Sequence, residues 1–143
     1  MTPHHLVAQH ALAIFIAALV AFLVGAFWYS PLLFAKAWIR AHGYTSDEVK
    51  AMQANASRAY AGTFVAFLLM AFVLNLFLQH LGADSVRDGV GWAFHAWLGF
   101  ALPVGFTAYL YSHKSIGVFL IDAGYQLAYM LLMGAILGAA LVR

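Results

Sequence analysis

GAFWYSPLLFAKAW, residues 25–38, begins as the end of an apolar run and finishes as a different kind of segment, with two aromatics, a Ser-Pro break and a lysine in between. The run that leads into it carries no Lys or Arg, and no small-residue cleavage site follows it. It therefore reads as an uncleaved first membrane span and not as a secretory leader. Ser30 followed by Pro31 is a helix-start pattern, a capping hydroxyl with proline at the first helical position. Beyond it Leu32, Ala35, Trp38 and Ile39 recur at helical spacing, Lys36 and Arg40 occupy another face, and Gly43 is a plausible stop. The spacing predicts an amphipathic helix lying in the membrane interface.

The rest of the chain has the same character. Of its 143 residues 65% are hydrophobic and 8% charged, against roughly 45–50% and about 25% in an ordinary soluble domain. So few charges cannot cover a water-facing surface, so the bilayer is the expected solvent and the main partner. Apolar segments at about 6–28, 59–81, 90–111 and 117–141 are each long enough for a span of about 20 residues. In lipid they must be helices, because every backbone polar group has to be satisfied internally. The expected fold is an all-α, four-helix transmembrane bundle forming one domain over residues 1–143. An insert at 29–58 holds the interfacial helix, and "TSDE" (45–48) offers a capping box that starts a second helix running through Arg58 into the second span.

Lys36, Arg40, Lys50, Arg58 and Lys114 fall in the first and third connections, against Arg87 and Arg143 on the other side. Five against two predicts that the first and third connections are cytoplasmic and both termini periplasmic, in a bacterial inner membrane. Trp28, Tyr29, Tyr60, Trp92, Tyr109 and Tyr111 stand at the expected borders, where amphipathic rings sit well. A net charge of +2 with no basic stripe gives no reason to expect nucleic acid. With no cysteine, disulfides and thiolate metal sites are excluded.

Small residues recur every fourth position at Ala13, Ala17, Ala21 and Gly25, and again at Gly134 and Gly138. Such faces let helices approach closely in lipid, either inside one bundle or across a homodimer. Pro103, with Gly99 and Gly105 around it, predicts a kink in the third span.

Asp122 is the one acidic residue well inside an expected span. Intramembrane charge is costly, so it should face protein or water and have a partner. Tyr125, Gln126 and Tyr129 follow at helical spacing and form a polar stripe with it. At the depth of Asp122 the candidate neighbours are Lys36, Tyr29, Trp28 and Thr107; nearer the opposite end Asn75 and His95 are expected to form a second polar layer. Each layer has two readings: a binding site, or interhelical hydrogen bonds that only hold the packing. His4, His5 and His10 could bind a metal adventitiously, but their spacing makes no metal site, and no cofactor is expected. No catalytic triad order, phosphate loop or carboxylate pair is present, so an enzyme is the weaker expectation.

The Trp28-Tyr29-Ser30-Pro31 turn with Lys36 and Trp38, and the late segment FLIDAGYQLAYMLLMGAILG (119–138), resemble the bacterial membrane proteins grouped as domain of unknown function 1761. The resemblance runs along almost the whole chain and implies a four-span membrane fold. The late motif of that family commonly has Asn where this chain has Asp122, which implies a hydrogen-bonding role at that position. It implies no mechanism. The expected functions are therefore a binding or transport protein for a small molecule or ion with a polar cavity near Asp122, or an accessory protein whose polar groups only fix helix packing.

Overall fold

The computed structural model describes residues 3–142, with side chains from residue 9 onward. All regular structure among the described residues is helical: α1 (Pro3–Trp28), α2 (Ala35–His42), α3 (Ser46–Ala54), α4 (Ala56–His80), α5 (Val86–Ala96), α6 (Leu102–Ser112) and α7 (Ile116–Ala140). A π-helical turn, Trp97–Ala101, joins α5 to α6. Four helices are long and apolar enough to cross a membrane: Gln9–Trp28, Ala56–His80, Val86–Ser112 and Ile116–Ala140. The chain has the build of a membrane protein, with large apolar side chains such as Leu69, Phe100 and Val104 facing outward.

Helix α7 is the hub. It lies between α1 and α5, and α4 packs on α1 while touching α7. Helix α1 runs antiparallel to both α4 and α7, and the seams are made of small residues. Ala17 and Ala21 of α1 are completely buried, in one cluster with Phe67, Ala71, Tyr125, Tyr129 and Met133. On the other side Gly89 and Ala93 of α5 meet Gly134 and Gly138 of α7 so closely that a methyl group on Gly89 would collide with the Gly134 carbonyl. Both small-residue faces thus make close contacts inside the chain, as small-xxx-small seams allow.

The third span is not one straight helix. Pro103 has no N–H to offer the Gly99 carbonyl four residues back, and its ring crowds that turn. The backbone relaxes by widening upstream, where the Leu102 N–H reaches Trp97 O, five residues back. Below this point α6 leans away from α7 and buries none of its residues. The irregularity expected near Pro103 takes the form of this π turn, and a wedge lies between α6 and α7.

The insert departs from expectation at its start. Ser30 does not cap a helix; its hydroxyl donates back to Phe27 O at 2.6 Å. Residues 30–34 form turns, with Phe34 N–H bonded to Trp28 O, and α2 begins only at Ala35. Gly43 does end α2, in the left-handed conformation (φ 74°), and the Tyr44 N–H closes back on Ile39 O. The Thr45–Glu48 capping box is formed. The helix it starts stops at Asn55, where the chain bends before α4, so α3 and α4 are separate.

Candidate functional site at the α7 aromatic clasp

Three consecutive residues of α7 are gripped by aromatic donors from three other segments. Trp28 Nε1–H, at the end of α1, donates to Ile121 O at 3.1 Å. Trp97 Nε1–H, from the π turn, donates to Ala123 O at 3.1 Å. Between them Asp122 Oδ1 accepts from the Tyr29 hydroxyl at 2.6 Å and from Trp38 Nε1–H at 3.2 Å. Small residues make room for this: a methyl group on Gly124 would press to 3.2 Å from the Trp28 ring. The turns after Tyr29 bring Trp38 back over Tyr29, their rings edge-to-face at 6.0 Å. Ser115 Oγ then ties the end of α2 to the start of α7 through Ala41 O at 3.0 Å.

Burial pushes the Tyr29 hydroxyl well above the ordinary phenol value, and its hydrogen bond to Asp122 and the charge of that residue push the same way. The phenol therefore keeps its proton and remains a donor. Asp122 Oδ1 is thereby committed to two donors, and Oδ2 has no hydrogen-bond partner among the described residues.

The other side of Asp122 is the wedge. Its volume is about 240 Å³. Asp122 and Gln126 of α7 line it, with Gly105, Ala108, Tyr109 and Ser112 of α6 and Lys114 from the turn between them. Tyr109 and Phe119 lie nearly parallel at 5.5 Å on its wall. Carboxylate, amide, hydroxyl and aromatic faces at one end of an otherwise apolar bundle form a concave site for a small polar molecule.

The structure divides the expected stripe. Asp122 and Gln126 face the wedge, whereas Tyr125 and Tyr129 are buried on the α1/α4 side. There the Tyr125 hydroxyl donates to Ala21 O at 2.6 Å, and its ring occupies the space that Gly25 leaves open. Trp28 and Tyr29 are in the clasp. Lys36 is not: it is exposed, and the partners of Asp122 are aromatic. Helical phase explains the correction, because Lys36 and Trp38 are two residues, or about 200°, apart around α2. The helix that presents Trp38 to Asp122 turns Lys36 away. Thr107 also fails as a partner, since its hydroxyl bonds Val104 O in its own helix.

The second layer pairs differently as well. His95 is exposed, with Nδ1 against Gly91 O at 2.7 Å. It lies two residues from Ala93, which faces α7, so His95 points the other way. Asn75 is buried and its amide reaches His10 Nδ1 of α1 at 3.4 Å, as does Gln79. The layer is Asn75/His10, not Asn75/His95. The side chains of His4 and His5 fall outside the described residues, among which no group of three or more His, Asp or Glu stands ready to hold a metal.

Sequence reasoning missed Trp38 and Trp97 as donors and Lys114, Tyr109 and Ser112 as walls. Lys114 carried a usable signal: its turn borders the same end of α7 as Asp122, yet it counted only toward topology.

The family of proteins of unknown function DUF1761 matches residues 12–138, which include the clasp, the wedge and most or all of each long helix. No curated protein and no solved structure matches the chain. With most of its length covered by that match, the chain belongs to the DUF1761 family.

Proposed function

We propose that this chain is a multi-pass membrane protein that binds a small polar molecule or ion in the wedge between α6 and α7, with Asp122 as the recognition group. The observation that carries this reading is the state of one side chain. Asp122 has one oxygen fixed by Tyr29 and Trp38, the other without a partner among the described residues, and a cavity of about 240 Å³ in front of it. A carboxylate needed only for packing would gain from having both oxygens satisfied. In this reading the wedge opens to the cytoplasm of a bacterial inner membrane and both termini are periplasmic, following the basic residues of the first and third connections. Helix α2 lies along the cytoplasmic interface with Lys36 and Arg40 among the headgroups. The accessory reading has support of its own: Trp28, Trp97 and Tyr125 all bond backbone carbonyls, which does nothing but hold helices together.

The absence of native cysteine makes the test direct. In bilayer nanodiscs, Ala108→Cys on the wedge wall should react with a membrane-impermeant methanethiosulfonate. Leu110→Cys, two residues along the same helix and outside the wedge lining, should not. A cationic reagent should outpace an anionic one at Ala108→Cys, and Asp122→Asn should reduce that preference. An unreactive Ala108→Cys means the wedge is dry and leaves the accessory reading standing.

A further inference from the structure

The charges around the wedge are ordered. Asp122 lies six residues into α7, about 9 Å along its axis. Lys114 precedes the helix and is exposed at the mouth. The two form no ion pair, yet both are near enough to His42 to bias its proton, from opposite directions. Between them lie the Ser112 hydroxyl and the paired rings of Tyr109 and Phe119, and the Gln126 amide follows one turn deeper than Asp122. A negative group inside, a positive group at the mouth and aromatic faces along the wall make an asymmetric receptor. A simple cation would satisfy Asp122 and be repelled by Lys114 on the way in. A simple anion would meet Lys114 and be rejected by Asp122.

We infer that the wedge takes a small zwitterion that enters from water with its ammonium end first, the ammonium meeting Asp122 Oδ2 and the anionic end resting on Lys114. This rests on the reading of the wedge as a binding site. Aromatic faces favour a passing ammonium. The volume, about 240 Å³, corresponds to roughly eight waters at about 30 Å³ each, the size of an amino acid and too small for two charged groups on a long chain. A zwitterionic lipid headgroup fits badly because its order is reversed: its phosphate lies deeper than its ammonium, which would set phosphate toward Asp122 and ammonium toward Lys114.

The test uses the Ala108→Cys chain in nanodiscs, with γ-aminobutyrate, butylammonium and butyrate as probes against thiol labelling. γ-Aminobutyrate should protect, and the two singly charged analogues should protect at least about tenfold less well. Adding Lys114→Gln should weaken protection by γ-aminobutyrate about tenfold and bring it level with butylammonium. Lys114 is exposed, so this variant keeps the fold. Asp122→Asn, whose amide oxygen can still accept from Tyr29 and Trp38, should abolish protection by both ammonium probes. If the cysteine labels but butylammonium protects as well as γ-aminobutyrate, or no probe protects, the zwitterion inference is overturned and the water-filled wedge stands. If the cysteine does not label, both fall.

Discussion

At the scale of single residues, the clearest dependence is between Gly25 and Tyr125. The Tyr125 ring fills the place a side chain would take at Gly25, and its hydroxyl ends on Ala21 O. Gly25→Ala must displace the ring, so it should cost about 1–3 kcal/mol through overpacking. Tyr125→Phe keeps the ring and loses one interhelical hydrogen bond, worth about 0.6 kcal/mol. Equilibrium unfolding in mixed micelles should rank Gly25→Ala well below Tyr125→Phe. His42 makes a pH prediction. It is stacked on Tyr44 at 4.6 Å and packed on Trp38 at 4.1 Å, and both its ring nitrogens are shut off without partners. Burial lowers its pKa from the usual 6.5, the Lys114 ammonium adds to this, and Asp122 opposes it. The unfolded imidazole therefore takes up a proton at higher pH than the folded one. Its contribution is neutral above about pH 6.5, and stability is lost as pH falls from there through the folded value. His42→Phe should flatten the acid side of the unfolding midpoint against pH relative to the parent chain; an unchanged slope counts against this account.

At the scale of elements, the seam between α5 and α7 and the π turn decide the shape of the site. Gly89 and Gly134 bring two backbones into contact at one end of the pair, while Pro103 forces α6 outward at the other. The wedge is the consequence of one helix held tight at its start and released after its middle. Gly89→Ala should push α5 from α7 and destabilise the fold by about 1–3 kcal/mol, read as a lower unfolding midpoint. Pro103→Ala restores a donor to the Gly99 carbonyl and lets the π turn relax toward α-helix. The wedge should then narrow, and labelling of Ala108→Cys should slow several-fold with little loss of stability. Faster labelling in that variant means that Pro103 does not hold the wedge open.

At the scale of the whole molecule, the four spans, the connection lengths and the capping box at Thr45 were legible because each depends on local chemistry: apolar length, a hydroxyl three residues before a carboxylate, a glycine after a helix. A break in regularity at Pro103 was legible for the same reason, though its form as a π turn was not. The start of α2 was misread because Ser-Pro satisfies a turn as readily as a helix start, and the choice fell to the Phe34 and Ala35 amides, which reach back to Trp28 and Ser30. That shift of four residues set the phase of α2, and with it whether lysine or tryptophan would meet Asp122. The Asn75 pairing was misjudged because depth along the membrane normal identifies a layer but not which helices share an edge. His10 and His95 were both near the level of Asn75, and α1, not α5, carries the facing side chain.

Sequence by itself therefore determined the apolar character, the number of helices able to cross a membrane and the singular placement of Asp122, since the cost of a lone carboxylate among apolar residues does not depend on its neighbours' positions. Only the tertiary structure decided the partners: Tyr29 and Trp38 on one oxygen, and on the other side a wedge reaching to Lys114. The physical reason is rotational. Two residues along a helix reverse the direction a side chain faces, and that phase is set by where turns end and which helices touch.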